Sequence, residues 1–184
     1  LPSIDLGTGR TATAIAAGYF HTCALLDNAS VKCWGRNSEG QLGLGNTTQI
    51  GDNSNEMGDN LPSIDLGTGR TATAIAAGNQ SCALLDNASV KCWGENAQGQ
   101  LGIDNTNLMG DETGDMGDNL PSIDLGTGRT ATAIAAGYFH SCAALDNGAV
   151  KCWGDNFYGQ LGIGSKDDMG NQSGEMAALT GIDL

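Results

Sequence analysis

The cysteines are the residues of this sequence whose type and spacing point most directly to chemistry. All 6 fall in three copies of one stretch, at residues 23–35, 82–94 and 142–154. Each copy has two short apolar runs around Asp-Asn-Ala or Asp-Asn-Gly, which predicts a β-hairpin with a three-residue turn. The last turn residue needs a left-handed backbone, which glycine adopts freely and alanine adopts at some strain.

The predicted turn determines which residues face each other across a hairpin. With residues 27–29 as the loop, Leu26 faces Ser30 and Cys23 faces Cys33. Opposed residues in an antiparallel pair have α-carbons roughly 4.5 to 5.5 Å apart, which a disulfide can span. We therefore predict three disulfides, each within its own hairpin: Cys23 with Cys33, Cys82 with Cys92, and Cys142 with Cys152.

Zinc is the alternative chemistry for paired cysteines, and the sequence argues against it. A structural zinc site needs ligands at tighter spacing, and only His21 and His140 are available to complete one. Three identically spaced pairs indicate an oxidising compartment instead. We therefore expect the protein to be extracellular or on the cell surface.

The acidic connections at residues 46–60, 105–119 and 165–178 hold the other candidate ligands. Oxygen-bearing side chains alternate in two of them: Asp52, Ser54 and Glu56, and Asp111, Thr113 and Asp115. A full calcium loop needs more oxygen ligands at fixed positions, so we favour solvated loops over calcium sites and predict no cofactor. Because no set of nucleophile, base and orienting acid recurs, the sequence does not indicate an enzyme.

Asparagines in the Asn-x-Ser/Thr pattern are candidate glycosylation sites in a secreted protein. They are Asn28, Asn46, Asn79, Asn87 and Asn171. Asn28 and Asn87 fall at the tips of predicted hairpins, where a glycan is accessible. We expect N-linked glycan on one of them if the source is a eukaryote.

The hairpins belong to three repeats, at residues 1–60, 61–119 and 120–184. Each repeat opens on Leu-Pro-Ser-Ile-Asp-Leu, and the chain closes on the similar Leu-Thr-Gly-Ile-Asp-Leu. This segment predicts an edge strand, because proline cannot donate to a ladder, so the third repeat carries one extra edge strand. Small residues at 11–17 favour a crowded inner strand over a weak alanine-rich helix, and Gly-Gln-Leu-Gly after each hairpin predicts tight turns.

Charge and apolar content exclude several classes of protein. Lys and Arg number 8 against 21 Asp and Glu, so a net charge of -13 disfavours nucleic acid and anionic membrane surfaces as partners. No apolar run is long enough for a membrane span. Large apolar residues are few, but their strict periodicity indicates small repeated cores rather than disorder.

Residues 18–45 combine Gly-Tyr-Phe-His, Val-Lys-Cys-Trp-Gly and Gly-Gln-Leu-Gly. This stretch resembles the repeat of the regulator of chromosome condensation family, and the resemblance covers essentially the whole chain in three copies. The resemblance implies an all-β fold of β-propeller blades, each with four antiparallel strands, and the paired cysteines look like those of secreted and cell-surface members. Three blades are too few to close a ring, so we expect part of a larger propeller or repeat array.

The histidine of the family motif appears as His21 and His140, whereas Asn79-Gln80-Ser81 stands in the second repeat. A residue missing from one copy is a poor candidate for catalysis or metal binding. We therefore predict that these histidines make structural hydrogen bonds.

The sequence favours an extracellular or cell-surface structural or adhesive repeat module, which assembles with further repeats or copies of itself. The alternative is a secreted propeller module that binds a protein or glycan through its acidic variable loops. Aromatic side chains could anchor such a partner; they are Tyr19, Phe20, Tyr138, Phe139, Phe157 and Tyr158. Because the second repeat lacks their counterparts, we predict that they pack between blades instead.

Overall fold

The computed structural model describes residues 3–182 as three antiparallel sheets, one after another along the chain. Blade 1 consists of β1 (Ala12–Ala17), β2 (His21–Leu26) and β3 (Val31–Gly35). Blade 2 consists of β4 (Ala72–Ala77), β5 (Gln80–Leu85) and β6 (Val90–Gly94). Blade 3 consists of β7 (Ala131–Ala136), β8 (His140–Leu145) and β9 (Val150–Gly154).

The connections that follow the three blades are mostly irregular. They contain two 3₁₀ turns, Gly58–Asn60 and Gly117–Asn119, and a single helical turn, α1 (Glu175–Ala178). Among residues 3–182, no helix has the length and apolar character needed to cross a membrane.

The outer two strands of each blade form the hairpin that the sequence predicts. Leu25 pairs with Val31 and Cys23 with Cys33, and the equivalent cysteines oppose each other in blades 2 and 3. All three predicted disulfides are present, each with its α-carbons 4.1 Å apart. Closing a loop of about ten residues stabilises a hairpin by roughly 2 to 3 kcal/mol in the chain-entropy model.

The last turn residue of every hairpin has a left-handed backbone, with φ of 62° at Ala29, 62° at Ala88 and 88° at Gly148. Because a β-carbon disfavours this conformation, Ala29→Gly or Ala88→Gly is expected to stabilise the chain by about 0.5 to 1 kcal/mol. Gly148→Ala is the matched control and should destabilise, since a β-carbon there would meet nothing within 4 Å and changes only the backbone preference. Urea unfolding followed by circular dichroism measures all three; lower stability of Ala29→Gly would contradict the prediction.

Each blade has three strands among the described residues, so the prediction of four strands is wrong. The segment predicted as the fourth strand lies along the outer edge but makes one backbone hydrogen bond there, from Ile64 N–H to the Val31 carbonyl at 2.9 Å. Pro62 has no N–H to donate. The Asp65 carbonyl instead accepts a hydrogen bond from Gly117, in the connection after blade 2. The segment leaves the edge too soon to form a strand.

The outer segment of blades 1 and 2 is supplied by the repeat that follows each of them in sequence, and that of blade 3 by the closing segment of the third repeat. Ile64 lies on the edge of blade 1, and the equivalent isoleucine of the third repeat lies on blade 2. On blade 3, Ile182 and Val150 exchange two backbone hydrogen bonds, at 2.7 and 3.0 Å, and form an isolated antiparallel bridge. The segment that closes the chain, residues 179–184, therefore supplies the outer edge of blade 3 through Ile182. Its last two residues fall outside the described range. In the opening copy Ile4 is 57% exposed, against 6% for Ile64.

The apolar core lies between neighbouring blades. One cluster of buried side chains, with Trp93 in it, joins blades 1 and 2, and a second, with Trp153, joins blades 2 and 3. The inner strands approach so closely that a β-carbon on Gly78 would lie 1.8 Å from the Gly137 carbonyl oxygen. The crowding predicted for the inner strands is thereby confirmed.

Candidate interface between blades

Neighbouring blades are joined by a recurring set of polar contacts, which we call the blade clasp. In the first clasp the Gln41 carbonyl, in the Gly-Gln-Leu-Gly turn of blade 1, accepts hydrogen bonds from Ser81 Oγ at 2.8 Å and Trp93 Nε1 at 3.1 Å. The second clasp has the same groups: the Gln100 carbonyl, Ser141 Oγ at 2.9 Å and Trp153 Nε1 at 3.0 Å. Both tryptophans are fully buried. Because the site is shielded from solvent, a donor or acceptor left without a hydrogen-bond partner there would lower stability.

A histidine extends the first clasp. His21 Nε2 lies 2.7 Å from Ser81 Oγ. Because the serine hydroxyl donates its hydrogen to the Gln41 carbonyl, the imidazole is the donor in this contact. Burial lowers the pKa of His21 from 6.5 to about 4, so the ring stays neutral at physiological pH. The predicted structural role of His21 is confirmed.

Gln80 replaces the histidine in the second clasp. Its Nε2 donates to Ser141 Oγ at 2.8 Å and to the His140 carbonyl at 2.9 Å. The sequence contained the signal, because Gln80 stands two residues before Cys82 as His21 stands two before Cys23. The second repeat has one residue fewer between the preceding glycine and the cysteine, so Gln80 and His21 match only when counted from the cysteine.

One side of the clasp is open on blade 1. Thr22 and Trp34 are cross-strand partners, as Ser81 and Trp93 are in blade 2. Thr22 and Trp34 are partly exposed, whereas Ser81 is 1% exposed. Blade 1 therefore presents a hydroxyl and an indole N–H in the arrangement that holds a carbonyl elsewhere in the chain.

The complementary side of the clasp is open on blade 3. Gln160 is half-buried, whereas Gln41 and Gln100 are buried. A β-carbon on Gly99 would lie 2.5 Å from the Asn171 amide nitrogen, but one on Gly159 would meet nothing within 4 Å. The turn of blade 3 therefore has open space beside it. Beside the turns of blades 1 and 2, the same space is filled by the connection that follows the next blade.

The carboxylates of the acidic connections bind their own backbone. Glu56 Oε2 accepts hydrogen bonds from the amides of residues 51–53 at 2.7 to 3.1 Å. These bonds, chiefly those from Asn53, lower the pKa of Glu56 to about 2. Asp115 and Glu175 accept hydrogen bonds in the same way. Within the described part of the chain, no three His, Cys, Asp or Glu side chains converge as a metal site.

A buried lysine in each hairpin, which we did not single out from the sequence, fixes the following connection. Lys91 Nζ donates to the carbonyls of Leu66 at 3.1 Å and Gly117 at 2.8 Å, and burial lowers its pKa. Lys32 makes the equivalent contacts, to the carbonyls of Leu6 and Gly58, and Lys151 donates instead to those of Asp124 and Met176. The available signal was a lysine between valine and cysteine in all three hairpins.

The candidate glycosylation sites differ in accessibility. Asn28 and Asn87 are exposed at hairpin tips, although the Oδ1 of each accepts a hydrogen bond from the serine two residues on. Asn46 is exposed, and Asn171 is half-buried. Asn79 is 7% exposed and lies among buried residues of blade 2. Glycosylation at any of the five stays a prediction.

Five of the six aromatic side chains are exposed and not packed between blades as predicted, and Phe139 is half-buried. Those with large exposed fractions, from 47% to 85%, are Tyr19, Phe20, Tyr138, Phe157 and Tyr158. The Tyr19 amide donates to the Gly78 carbonyl at 2.8 Å, which holds the residue at a strand end. The rings of Tyr19 and Tyr138 meet there with centroids 4.6 Å apart. An exposed aromatic cluster results.

The stacked sheets and their clasps define a repeat protein of the β-propeller class. Two sequence profiles, both described as the Regulator of chromosome condensation (RCC1) repeat, match the chain. One matches residues 12–41 and 131–160, and the other matches residues 30–85 and 89–144. The chain belongs to the regulator of chromosome condensation repeat family.

Two relatives are similar to this chain over part of their own length. The chain is 31% identical over 164 residues to the ultraviolet-B receptor UVR8 of Arabidopsis thaliana, covering 87% of this chain and 33% of UVR8. It is 32% identical over 151 residues to the probable E3 ubiquitin-protein ligase HERC4 of Homo sapiens, covering 82% of this chain and 13% of HERC4. The chain thus spans about a third of one relative and far less of the other.

A solved structure supports the same fold. Prp20p from Saccharomyces cerevisiae, described together with its binding properties to Gsp1p and histones, superposes with a TM-score of 0.67 at 23% identity. The match covers 94% of this chain and 38% of that chain. At this identity the likeness shows the shared fold alone.

Proposed function

We propose that this chain is an extracellular or cell-surface repeat module with a structural or adhesive role, which associates with further repeats or with copies of itself. The observation that carries the proposal is the blade clasp, which is closed twice inside the chain and has one open side on blade 1 and one on blade 3. Units that present the same two faces can add neighbours through one kind of contact.

The cysteines and the net charge support an extracellular compartment. All six cysteines are in disulfides, and disulfides persist in oxidising environments. The net charge of -13 keeps the chain soluble and away from nucleic acid and anionic membranes. Both features suit a protein outside the cell.

Surface labelling of intact source cells with a membrane-impermeant biotin reagent tests the compartment. We expect labelling without permeabilisation, and non-reducing peptide mapping of the native protein should recover the three intra-hairpin disulfides. Protein that is labelled only after permeabilisation and carries free thiols would contradict the extracellular role.

Binding of a soluble protein or glycan through the acidic loops is the second candidate function. An open cleft of about 770 Å³ beside blade 3 favours it, because the carboxylates of Asp155 and Asp167 line it together with Phe157 and one basic side chain, Lys166. A basic protein complements such a surface. Titration with purified core histones tests this: salt-dependent binding that Asp167→Asn weakens supports it, and no binding at low salt contradicts it.

A further inference from the structure

We infer that Tyr19 and Tyr138 form a modification site, at which a peroxidase with hydrogen peroxide joins the two rings as dityrosine and ties blade 1 to blade 3. The rings already meet edge to face, with centroids 4.6 Å apart and planes at 71°. Both residues are accessible to an oxidant, since they are 57% and 47% exposed. The inference goes beyond the proposed association, because this bond forms within one chain.

Blade 2 holds the two tyrosines next to each other. The Tyr19 amide donates to the Gly78 carbonyl at 2.8 Å, and the Asn79 amide donates to the Tyr138 carbonyl at 3.1 Å. Two consecutive residues of blade 2 therefore bind the backbones of both tyrosines. The four residues lie within the three blades, so the contact between the rings needs neither end of the chain.

The second repeat contributes no ring between the two tyrosines. Tyr-Phe-His stands before Thr22 in the first repeat and before Ser141 in the third, whereas Asn79-Gln80 stands before Ser81 in the second. Asn79 is 7% exposed, so its small side chain is buried in blade 2. The rings of the first and third repeats can therefore meet across the end of the second.

The surroundings leave the two rings room to turn. An open hollow of about 270 Å³ lies beside them, at the ends of the inner strands. Small residues line it, namely Ala17, Gly18, Ala77, Gly78, Ala136 and Gly137. Rings that meet edge to face must rotate before a carbon of one can bond a carbon of the other. No large side chain lines the hollow to block that rotation, apart from the two tyrosines themselves.

The coupling is balanced in atoms and electrons. Each phenol loses one electron and its hydroxyl proton and becomes a phenoxyl radical. The radicals form a carbon–carbon bond between the positions ortho to the hydroxyls, and the hydrogens on those carbons then move to the oxygens and restore both hydroxyls. One hydrogen peroxide takes up the two electrons and two protons and leaves as two waters. Because the rings are in contact, coupling within the chain needs no diffusional encounter.

Tyr158 provides an internal comparison. It is the remaining one of 3 tyrosines and is 85% exposed, but its ring contacts Phe157, which has no hydroxyl to oxidise. If exposure alone decided the reaction, Tyr158 would react first and would link separate chains. Contact between two phenols predicts instead a bond between Tyr19 and Tyr138 inside one chain.

Oxidation of the disulfide-bonded chain in dilute solution with a peroxidase and hydrogen peroxide tests the pairing. After separation by size, we expect dityrosine fluorescence in the species of single-chain mass and the loss of two hydrogens from that mass. Peptide mapping should recover Tyr19 linked to Tyr138. Free tyrosine, coupled in a parallel reaction, shows that the oxidant is active.

Phenylalanine variants separate the ring contact from general oxidation. Tyr19→Phe and Tyr138→Phe each keep an exposed ring and remove one hydroxyl, so the fold should be unchanged by circular dichroism. Dityrosine fluorescence of the single-chain species should fall at least about tenfold in both, since coupling then requires two chains. Tyr158→Phe is the matched control and should leave this fluorescence unchanged.

Two results would overturn the inference. Dityrosine that occurs only in species of two or more chains, or mainly at Tyr158, would show that exposure rather than the ring contact decides the reaction. Oxidised single chains without a bond between Tyr19 and Tyr138, under conditions that couple free tyrosine, would show that the contact does not lead to coupling. Neither result bears on the proposed association, which is measured separately by the mass of the unoxidised protein.

Discussion

Trp93→Ala is expected to lower the free energy of unfolding by about 3 to 5 kcal/mol, as for other fully buried aromatic residues. The indole is 0% exposed, belongs to the core between blades 1 and 2, and donates to the Gln41 carbonyl. Its removal leaves a cavity and deprives a buried carbonyl of one of its two donors. Both losses act on the contact between blades and leave the hairpin disulfide in place.

Trp34→Ala is the matched control for this effect. Trp34 has the same position in blade 1 but is partly exposed and has no blade before it within the described chain. In dilute protein we expect it to cost less than half as much as Trp93→Ala, since less apolar area returns to water. Guanidinium unfolding followed by circular dichroism measures both, and equal losses would show that the interface between blades contributes little.

Stability is expected to fall as the pH drops from about 7 to about 4, with about 3 kcal/mol of the fall due to His21. Burial lowers the pKa of His21 from 6.5 to about 4 in the folded chain, so between these values the unfolded chain binds the proton more readily. The stabilisation is complete above pH 6.5 and is lost progressively as the pH approaches 4.

His21→Gln tests this assignment without removing the contact. Gln80 shows that glutamine at this position donates to the serine of the next blade, so the variant should fold and its stability should depend less on pH than that of the parent. His140→Gln is the control: burial lowers the pKa of His140 too, but the ring is half-buried and its effect should be smaller. The free energy of unfolding is measured for the parent and for His21→Gln at several values from pH 7 to pH 4. Equal losses of free energy in the two proteins over this range would contradict the assignment.

The hairpins were predictable from the sequence because their information is local. A three-residue turn fixes the register, and the register places Cys23 opposite Cys33. The left-handed backbone at Ala29 follows from the same turn. Only neighbouring residues decide these features, so one repeat is enough to derive them.

The outer edge and the clasp were not predictable in the same way, because they depend on contacts between repeats. Identical copies of Leu-Pro-Ser-Ile-Asp-Leu give no sign of which blade each one joins, and the structure places Ile64 on the blade before its own repeat. Gln41 contributes to the clasp through its backbone carbonyl, which no residue type identifies. The role of the acidic side chains was hidden for a related reason: the backbone amides that Glu56 binds carry no side-chain signal.

Sedimentation equilibrium of residues 1–184, expressed alone under oxidising conditions, tests most directly whether the open clasp faces make this chain associate. We predict a mass of 18.7 kDa in dilute protein that rises with concentration towards whole multiples of this value. The rise should be weakened by Thr22→Lys, which places a charge in the open clasp of blade 1, and unchanged by Thr106→Lys in an exposed outer connection. A compact, cooperatively melting species of 18.7 kDa at every concentration would contradict association between copies.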